Sequence, residues 1–365
     1  MKIKNIITYI ESIAPPSFQE SYDNAGLIVG DSNKEVTGVL IALDTIEAVI
    51  DEAIAKQCNL VIAHHPIVFG GLKRFTGSNY VERVIIKAIQ HDIAIYAAHT
   101  NLDNVYKNGV NSKIAEKIGL INTRILAPKK GLLKKIYTFV PKHATQQVEQ
   151  ALFEAGAGNL GNYSECSFSV EGKGAFKGNE QSNPTLGNVG ERHYEKEDKV
   201  EVIFPAHLEA KVIRALLAAH PYEEVAYDIV ALGNQYKEIG AGLIGELKTP
   251  MEPMAFLKML KQRMKTDCVR YTALCKKEIK SVALCGGAGS FLLKNATRAQ
   301  ADLFITGDYK YHQFFDAENR IIIADIGHYE SEQFTIELFY ELLTQKFRNF
   351  AVHCTEINTN PINYL

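Results

Sequence analysis

Two adjacent histidines end an apolar run near the start of the chain. Leu60 to Ala63 form an unbroken apolar stretch typical of a buried strand, and His64, His65 and Pro66 follow directly. Burying two imidazoles requires partners for their ring nitrogens. Neutral imidazole is also a common ligand of transition metals, so the pair predicts a metal site at the end of this strand.

Further histidines and carboxylates follow other apolar strands. They are Asp44, His99, Asp103, Asp308, His328 and Glu332. Ligands of open parallel sheets gather beyond the carboxyl ends of the strands, so we expect these side chains to converge on one sheet edge. His328 and Glu332 are four residues apart, and a helix starting near residue 328 would place both on one face.

This set of side chains suits divalent cations. The histidine pair could hold one ion, and with the bridging carboxylates of Asp103 and Glu332 the set could hold two, leaving positions open for water. Simpler roles stay open for single residues. A strand-end histidine is more often structural, Asp103 could cap a helix, and Glu332 could be a solvated first-turn carboxylate. The convergence, rather than any one residue, favours the metal site.

Two other motifs fall near the same edge. In "TGDYKYHQ", Asp308 and His312 are also four residues apart, and they could be ligands, substrate contacts or proton-transfer groups. The glycines of "CGGAGS" could form an anion-binding turn at a helix start. The motif lacks the lysine of a P-loop and the spacing of a dinucleotide fingerprint, so it predicts no nucleotide site by itself.

Alternating strand and helix patterns account for both ends of the chain. Short apolar strands alternate with amphipathic, helix-length segments from residue 36, and the pattern resumes after residue 242 with "SVALCGGAGS", "ADLFITGD" and "RIIIADIG". Such β-α-β units indicate a largely parallel sheet flanked by helices. We therefore predict an α/β domain built from both chain ends, 1–127 and 243–365.

The middle of the chain, 128–242, follows another pattern. "FVPKHATQQVEQAL" is matched by the later "IFPAHLEAKVIRAL", a weak duplication of a strand, a proline-initiated loop and a helix. Strand-like sequence follows each copy, which gives a β-α-β-β-α-β order. This order predicts an inserted α+β domain of the ferredoxin-like or signal-protein-like kind.

Composition limits the partners. The chain is 46% hydrophobic and 22% charged, and its net charge of -2 gives no global attraction to nucleic acid or anionic membranes. No apolar run reaches the roughly 20 residues that span a bilayer. The six cysteines include no C-x-x-C pair, which argues against a zinc ribbon or a dithiol redox motif. We expect a soluble, cytoplasmic protein with a small-molecule partner and neither a membrane nor a nucleic-acid partner.

Seven motifs resemble a known family. In chain order they are "YDNAGLIVGD", "AHHP", "AAHTNLD", "CGGAGS", "ITGDYKYHQ", "DIGHYESE" and "NTNPINYL". They resemble those of the GTP cyclohydrolase 1 type 2 homologs, also called NIF-three-like proteins, whose longer bacterial members carry an inserted signal-protein-like domain. The resemblance implies a toroidal homohexamer and a dinuclear metal site on His64, His65, Asp103, His328 and Glu332. It places His99, Asp308 and His312 in the surroundings of that site.

Two functional hypotheses follow. The first is a dinuclear-metal-dependent hydrolase of a nucleotide or related small molecule, in which His99, Asp308 or His312 contacts the substrate or moves protons. The second is a non-catalytic metal-binding or regulatory protein whose inserted domain senses a ligand or partner, with the loop at 177–199 as a gate. Two divalent ions per subunit are expected, and zinc, iron, manganese, cobalt or nickel would suit the ligands.

Overall fold

The computed structural model describes residues 1–365, and its backbone contacts divide the chain into two units. The first unit is Met1–Pro128 with Glu238–Leu365, and the second is Lys129–Lys237. The helices are α1 (Ile3–Ile13), α2 (Glu47–Ala55), α3 (Tyr80–Gln90), α4 (Thr100–Asp103), α5 (Val110–Ile118), α6 (Thr145–Glu154), α7 (Glu209–Ala219), α8 (Pro253–Arg263), α9 (Leu293–Arg298), α10 (His328–Glu332) and α11 (Thr335–Lys346). None of them combines the length and the apolar content that crossing a membrane requires.

The strands number fifteen and form three sheets. They are β1 (Gly26–Val29), β2 (Gly38–Ala42), β3 (Leu60–Ala63), β4 (Ala94–Ala97), β5 (Leu120–Lys130), β6 (Leu133–Pro141), β7 (Ser167–Lys177), β8 (Arg192–Pro205), β9 (Tyr227–Leu232), β10 (Gln235–Met251), β11 (Arg270–Tyr271), β12 (Ile279–Ala288), β13 (Leu303–Gly307), β14 (Ile322–Asp325) and β15 (Ala351–Cys354). The first two sheets carry the candidate site.

The first sheet has the order β1-β4-β3-β2-β15. Strands β2, β3 and β4 run parallel, with Leu40 level with Val61 and Val61 level with Ile95. Every residue of these three strands is buried, because they pack in one apolar cluster with residues of α2 and α3. Burial on both faces explains why the strands are continuous apolar runs in the sequence.

The second sheet has the order β11-β14-β13-β12-β10-β5. Its centre is parallel, with Leu284 of β12 level with Ile305 of β13, and Ile305 level with Ala324 of β14. Strand β10 pairs with β12 antiparallel, and the short β11 pairs with β14 antiparallel. The carboxyl ends of three parallel strands therefore share one edge in this sheet too.

The prediction of a single, largely parallel sheet is corrected by this topology. The chain is mixed α/β, and its two ends form separate sheets rather than one. The sheets exchange strands, since β15 from the end of the chain joins the first sheet and β5 from the first half joins the second. Strand and helix periodicity identifies β-α-β units, but it does not say which units share a sheet, because that depends on contacts distant in sequence.

The second unit, Lys129–Lys237, contains β6, α6, β7, β8, α7 and β9 in chain order. Its sheet has the order β7-β8-β6-β9, and all neighbouring strands are antiparallel. Residues of α6 and α7, including Val148 and Leu216, share an apolar cluster with Ile136, Val200 and Phe204 of the sheet. The helices therefore cover one face of this sheet.

Candidate metal centre

Three neighbouring strands of the first sheet deliver the first half of the site. Asp44 follows β2, His64 and His65 follow β3, and His99 follows β4. The backbone N–H groups of His64 and His65 both donate to the carbonyl of Leu43, at 3.1 and 3.0 Å. The end of β2 therefore fixes the backbone from which both imidazoles project.

Helix α10 delivers the second half. It follows Gly327, whose φ of +93° suits a glycine, and it starts at His328. Glu332 lies one turn later, and its Oε2 is 3.1 Å from Nε2 of His328. The helix that the four-residue spacing predicts is present, and it brings both side chains to one place.

Two groups of potential ligand atoms form around Glu332. In the first, Nε2 of His64 lies 3.7 Å from Oε1 of Glu332 and 3.6 Å from Oδ1 of Asp103. In the second, Nε2 of His65 and Nε2 of His328 lie 2.9 and 3.1 Å from Oε2 of Glu332, and 3.3 Å from each other. Each oxygen of the Glu332 carboxylate therefore faces a different group, and both groups could hold a metal ion.

Unpaired buried atoms test whether a cation fits the first group. Nε2 of His64 and Oδ1 of Asp103 are buried and have no hydrogen-bond partner, which is costly for polar atoms. A divalent cation with ligand bonds of about 2.0–2.2 Å holds neighbouring ligand atoms about 3 to 3.6 Å apart. The spacing of 3.6 Å between these two atoms matches that range, so the residues fit a metal ion.

The four histidine rings of the site are anchored through the same ring nitrogen, Nδ1. Each directs Nδ1 at an oxygen acceptor, and the pairs are His64 with the Ala98 carbonyl at 2.9 Å, His65 with Asp44 at 2.7 Å, His99 with Asp23 at 2.8 Å, and His328 with Asp308 at 2.7 Å. A carbonyl or carboxylate oxygen only accepts, so each Nδ1 carries the proton. The neutral ring then presents a lone pair at Nε2, which is how metal-binding histidines are usually oriented.

The two carboxylates of the first group have opposite pKa shifts. Burial and the nearby Glu332 carboxylate raise the pKa of Asp103 well above its ordinary value. Burial acts on Glu332 in the same direction, but the imidazoles of His64, His328 and His65 outweigh it and hold the pKa of Glu332 well below its ordinary value. Two close carboxylates repel each other when both are ionised. A cation between them would reduce this repulsion and lower the pKa of Asp103.

The imidazoles of the second group bind protons strongly. Burial disfavours the charged ring of His65, but hydrogen bonds to Asp44 and Glu332 outweigh burial and raise its pKa to about 10. Burial is likewise outweighed at His328, where Glu332 and Asp308 raise the pKa to about 9. Without a cation, these pKa values favour a second proton on each ring at neutral pH, and a cation that binds at Nε2 would displace that proton.

A glycine-rich turn packs against Glu332. The backbone N–H groups of its three glycines are already paired, from Gly286 to Asn111, from Gly287 to Ser331 and from Gly289 to Thr306. These amides are not available to an anion, so the anion-binding alternative for "CGGAGS" is not supported. A Cβ on Gly287, whose φ is +61°, would stand 2.4 Å from Oε1 of Glu332. This glycine makes room for the carboxylate.

The site gathers most of the residues that the sequence singles out, in a cavity of about 780 Å³. His65, His99, Asp103, Asp308, His328 and Glu332 line the cavity. His64 lies behind them and is fully buried. His312 is the exception, since its exposed side chain stacks on Phe315 and contacts the ring of Tyr311.

Two residues that support the site do not follow an apolar strand in the sequence, so the sequence analysis does not identify them. Asp23 accepts a hydrogen bond from His99, and Thr359 donates one to Asp44 at 2.7 Å. Both lie in segments without regular secondary structure, so no periodic pattern points to them. The only signal in the sequence is that they fall within "YDNAGLIVGD" and "NTNPINYL".

Cation binding is expected to release protons and to strengthen as pH rises. Because His65 and His328 have pKa values of about 10 and about 9, raising the pH from 6 towards 9 removes competing protons from their rings. Calorimetric titration of Zn²⁺ into the metal-free protein in buffers of different ionisation enthalpy measures the protons released. Binding heats that do not depend on the buffer would contradict this expectation.

Gly287→Ala is expected to weaken cation binding about tenfold or more, because the new Cβ displaces the Glu332 carboxylate. The matched control is Gly131→Ala, where φ is +75° and a Cβ would have open space. Both variants carry the strain of a positive φ, about 1 kcal/mol. Gly287→Ala should also unfold at a lower temperature, because it disturbs a buried carboxylate, so Zn²⁺ affinity is compared at a temperature where both variants are folded. Equal affinity in the two variants would refute the role given to Gly287.

Comparison with known proteins identifies the family. A family model described as Duf34/NIF3 (NGG1p interacting factor 3) matches residues 1–361. A Bacillus subtilis protein named GTP cyclohydrolase 1 type 2 homolog is 39% identical over 372 residues, which cover 99% of this chain and 98% of that protein. The crystal structure of a Bacillus cereus protein related to NIF3 has a TM-score of 0.87 and 39% identity over 100% of this chain and 99% of its own. A Staphylococcus aureus crystal structure has a TM-score of 0.79 and 31% identity over the same shares. The resemblance of the motifs is confirmed, and the chain belongs to the Duf34/NIF3 family.

Proposed function

We propose that the site holds a dinuclear centre of divalent cations, with Glu332 shared between the two ions. His64 and Asp103 would serve one ion, and His65 and His328 the other. One observation carries the proposal. The rings of the three histidines are fixed through Nδ1, and every Nε2 faces an oxygen of the same buried carboxylate. A hydrogen-bonded outer nitrogen and an inward Nε2 are typical of metal-binding histidines.

The donor set suits several metals. Imidazole and carboxylate ligands together accept zinc, iron, manganese, cobalt or nickel. Such ions would supply Lewis acidity, which lowers the pKa of water and polarises a substrate oxygen. Residues of both groups line the cavity, namely Asp103, His65, His328 and Glu332, which favours a centre that exchanges ligands over a closed structural site.

His99 is the residue best suited to move a proton in this cavity. Its Nδ1–H donates to Asp23, which also accepts hydrogen bonds from the backbone N–H and the hydroxyl of Thr100. Burial would raise the pKa of Asp23, but the hydrogen bonds from His99 and Thr100 outweigh it and lower the pKa to about 2. An ionised, fixed Asp23 orients the imidazole so that Nε2 can accept a proton.

Hydrolysis of a nucleotide or a related small molecule is the reaction that these groups would serve best. The cavity of about 780 Å³ has the size of a small-molecule site. Its lining includes the exposed rings of Tyr22, Phe69, Tyr80 and Phe291. Such rings can stack on a planar base, while the polar groups of the site would act on its neighbouring bonds.

Metal loading followed by a substrate panel tests the hydrolase proposal. Protein reconstituted with Zn²⁺ or Mn²⁺ is expected to turn over at least one member of a nucleotide and phosphoester panel with saturable kinetics. His65→Ala and Glu332→Gln should lower that turnover by about a hundredfold or more, because each removes a ligand. His353→Ala, on strand β15 outside the site, is the control. No turnover in the panel, or equal turnover in all four proteins, would reject the hydrolase.

A non-catalytic, sensing role is the second candidate, favoured by a cavity in the second unit. The cavity has a volume of about 1020 Å³, and its lining includes Phe139, Phe176, Tyr222 and Glu197. The carboxylate of Glu197 is almost fully buried and accepts a hydrogen bond from the Tyr222 hydroxyl at 2.8 Å. Such a pocket offers apolar area and one fixed polar group, as ligand sites do.

Ligand binding without turnover would identify that role. The same nucleotide panel is expected to raise the melting temperature of the wild-type protein by several degrees, and Phe176→Ala should reduce that shift because the ring lines the cavity. Thermal unfolding with each compound measures the shift, and His65→Ala is the control that leaves this cavity intact. Turnover that is abolished by His65→Ala would instead decide for the hydrolase.

A further inference from the structure

The C-terminal segment forms one wall of the metal cavity. Residues Thr359 to Ile362 line it, although they lie outside every helix and strand. The hydroxyl of Thr359 is buried and donates to Oδ2 of Asp44 at 2.7 Å. The amide of Asn360 donates to Oε1 of Glu330 at 3.0 Å, next to the ligands of α10. Side chains of this irregular segment therefore hold two carboxylates beside the candidate centre.

One of these contacts continues to a candidate ligand. Asp44 uses Oδ2 to accept from Thr359, and it uses Oδ1 to accept from Nδ1 of His65 at 2.7 Å. On the other side of the ring, Nε2 of His65 lies 2.9 Å from Glu332. An unbroken chain of polar contacts therefore joins the C-terminal segment to the second group of ligand atoms.

The acceptors of the two neighbouring histidines differ in rigidity. Nδ1 of His64 is held by the backbone carbonyl of Ala98, whose N–H is itself bonded to the end of β3. Nδ1 of His65 is held by the side chain of Asp44, which is 32% exposed and can rotate. Fixing this carboxylate requires a second partner, and Thr359 is that partner. Losing it frees Asp44 to turn towards water and leaves the ring of His65 less restricted.

We propose that Thr359 is a positioning residue of the metal centre, which fixes the His65 imidazole through Asp44. The proposal rests on the proposed function in one respect, that His65 binds a cation. It extends that function by giving the C-terminal segment a defined part in the affinity of the centre. Thr359 itself touches no ion and no reacting atom.

The proposal is tested on the full chain by titration with Co²⁺, in which visible absorption measures the binding of the ion. Thr359→Val keeps the shape of the side chain and removes the hydroxyl, so one of the bound ions should be held about tenfold more weakly. Thr359→Ser restores the donor and should bind within about threefold of the wild type. A changed absorption spectrum in the valine variant alone would report the altered geometry at His65.

Thr355→Val is the matched control. Thr355 directly follows β15, four residues before Thr359, and donates its hydroxyl to the carboxylate of Glu52. Glu52 interacts with Lys56 and not with a histidine of the site. Both valine variants lose one hydroxyl-to-carboxylate bond, and Thr355→Val also loses the bond that the Thr355 hydroxyl accepts from the N–H of Ile357. Thr355→Val should therefore lower the melting temperature at least as much as Thr359→Val. Only Thr359→Val should weaken Co²⁺ binding. Equal weakening in both variants would show a general effect on stability and would overturn the proposal.

A double-mutant cycle tests whether Thr359 acts on His65 through Asp44 or disturbs the site in another way. In the Asp44→Ala background, Thr359→Val should have no further effect on Co²⁺ affinity, because the contact that transmits its effect is gone. Additive effects would overturn the proposal. Wild-type affinity in Thr359→Val would reject this inference and leave the proposed function standing. If the wild-type protein binds no divalent cation, both fail together.

Discussion

The carboxylate of Glu332 lies between the imidazoles of His64, His65 and His328 and is almost completely removed from water. A buried charge is costly unless partners surround it, and much of the nearby structure supplies those partners. Gly287 lacks the Cβ that would occupy the position of the carboxylate, and its N–H is bonded to Ser331 in the same helix. The glycine-rich turn and helix α10 therefore both accommodate the side chain of Glu332.

The orientation of the rings couples this site to the packing of both sheets. The Nδ1 acceptors are supplied by separate segments, namely the loop before β1, and the segments that follow β2, β4 and β13. Each ring points inward only when its own segment is in place. The two sheet edges must therefore meet correctly before the Nε2 atoms can converge on Glu332. This dependence makes the centre a consequence of the complete first unit rather than of one local motif.

The sequence predicts the residues of this site better than it predicts their surroundings. Strand-end positions and the spacing of His328 and Glu332 identify the groups that meet, because carboxyl ends of parallel strands share an edge. The same rule predicts that all of them lie on one sheet. That prediction is wrong because the two chain ends form separate sheets, and strand pairing depends on contacts distant in sequence. Asp23 and Thr359 are not predicted as site residues, because they lie in irregular segments that have no periodic sequence pattern.

The glycine-rich turn shows another limit of sequence patterns. "CGGAGS" has the composition of an anion-binding turn, and that interpretation assumes free amides. The side chains that occupy those amides come from Asn111, Thr306 and Ser331, which are far from the turn in sequence. Composition therefore predicts the small residues correctly, but it does not reveal that a carboxylate, rather than an anionic ligand, takes the space.

The distribution of apolar burial shows what stabilises the strands that carry the candidate site. Strands β2, β3 and β4 share one apolar cluster with their helices, and β12, β13 and β14 contribute to another. The strands that carry the candidate ligands are therefore stabilised by apolar burial, independently of any ion. In small zinc modules the metal supplies the folding energy itself, and the ligands do not assemble without it. The fold of this unit therefore does not depend on an ion, and under the proposed function an ion at this site could exchange, as both catalysis and sensing require.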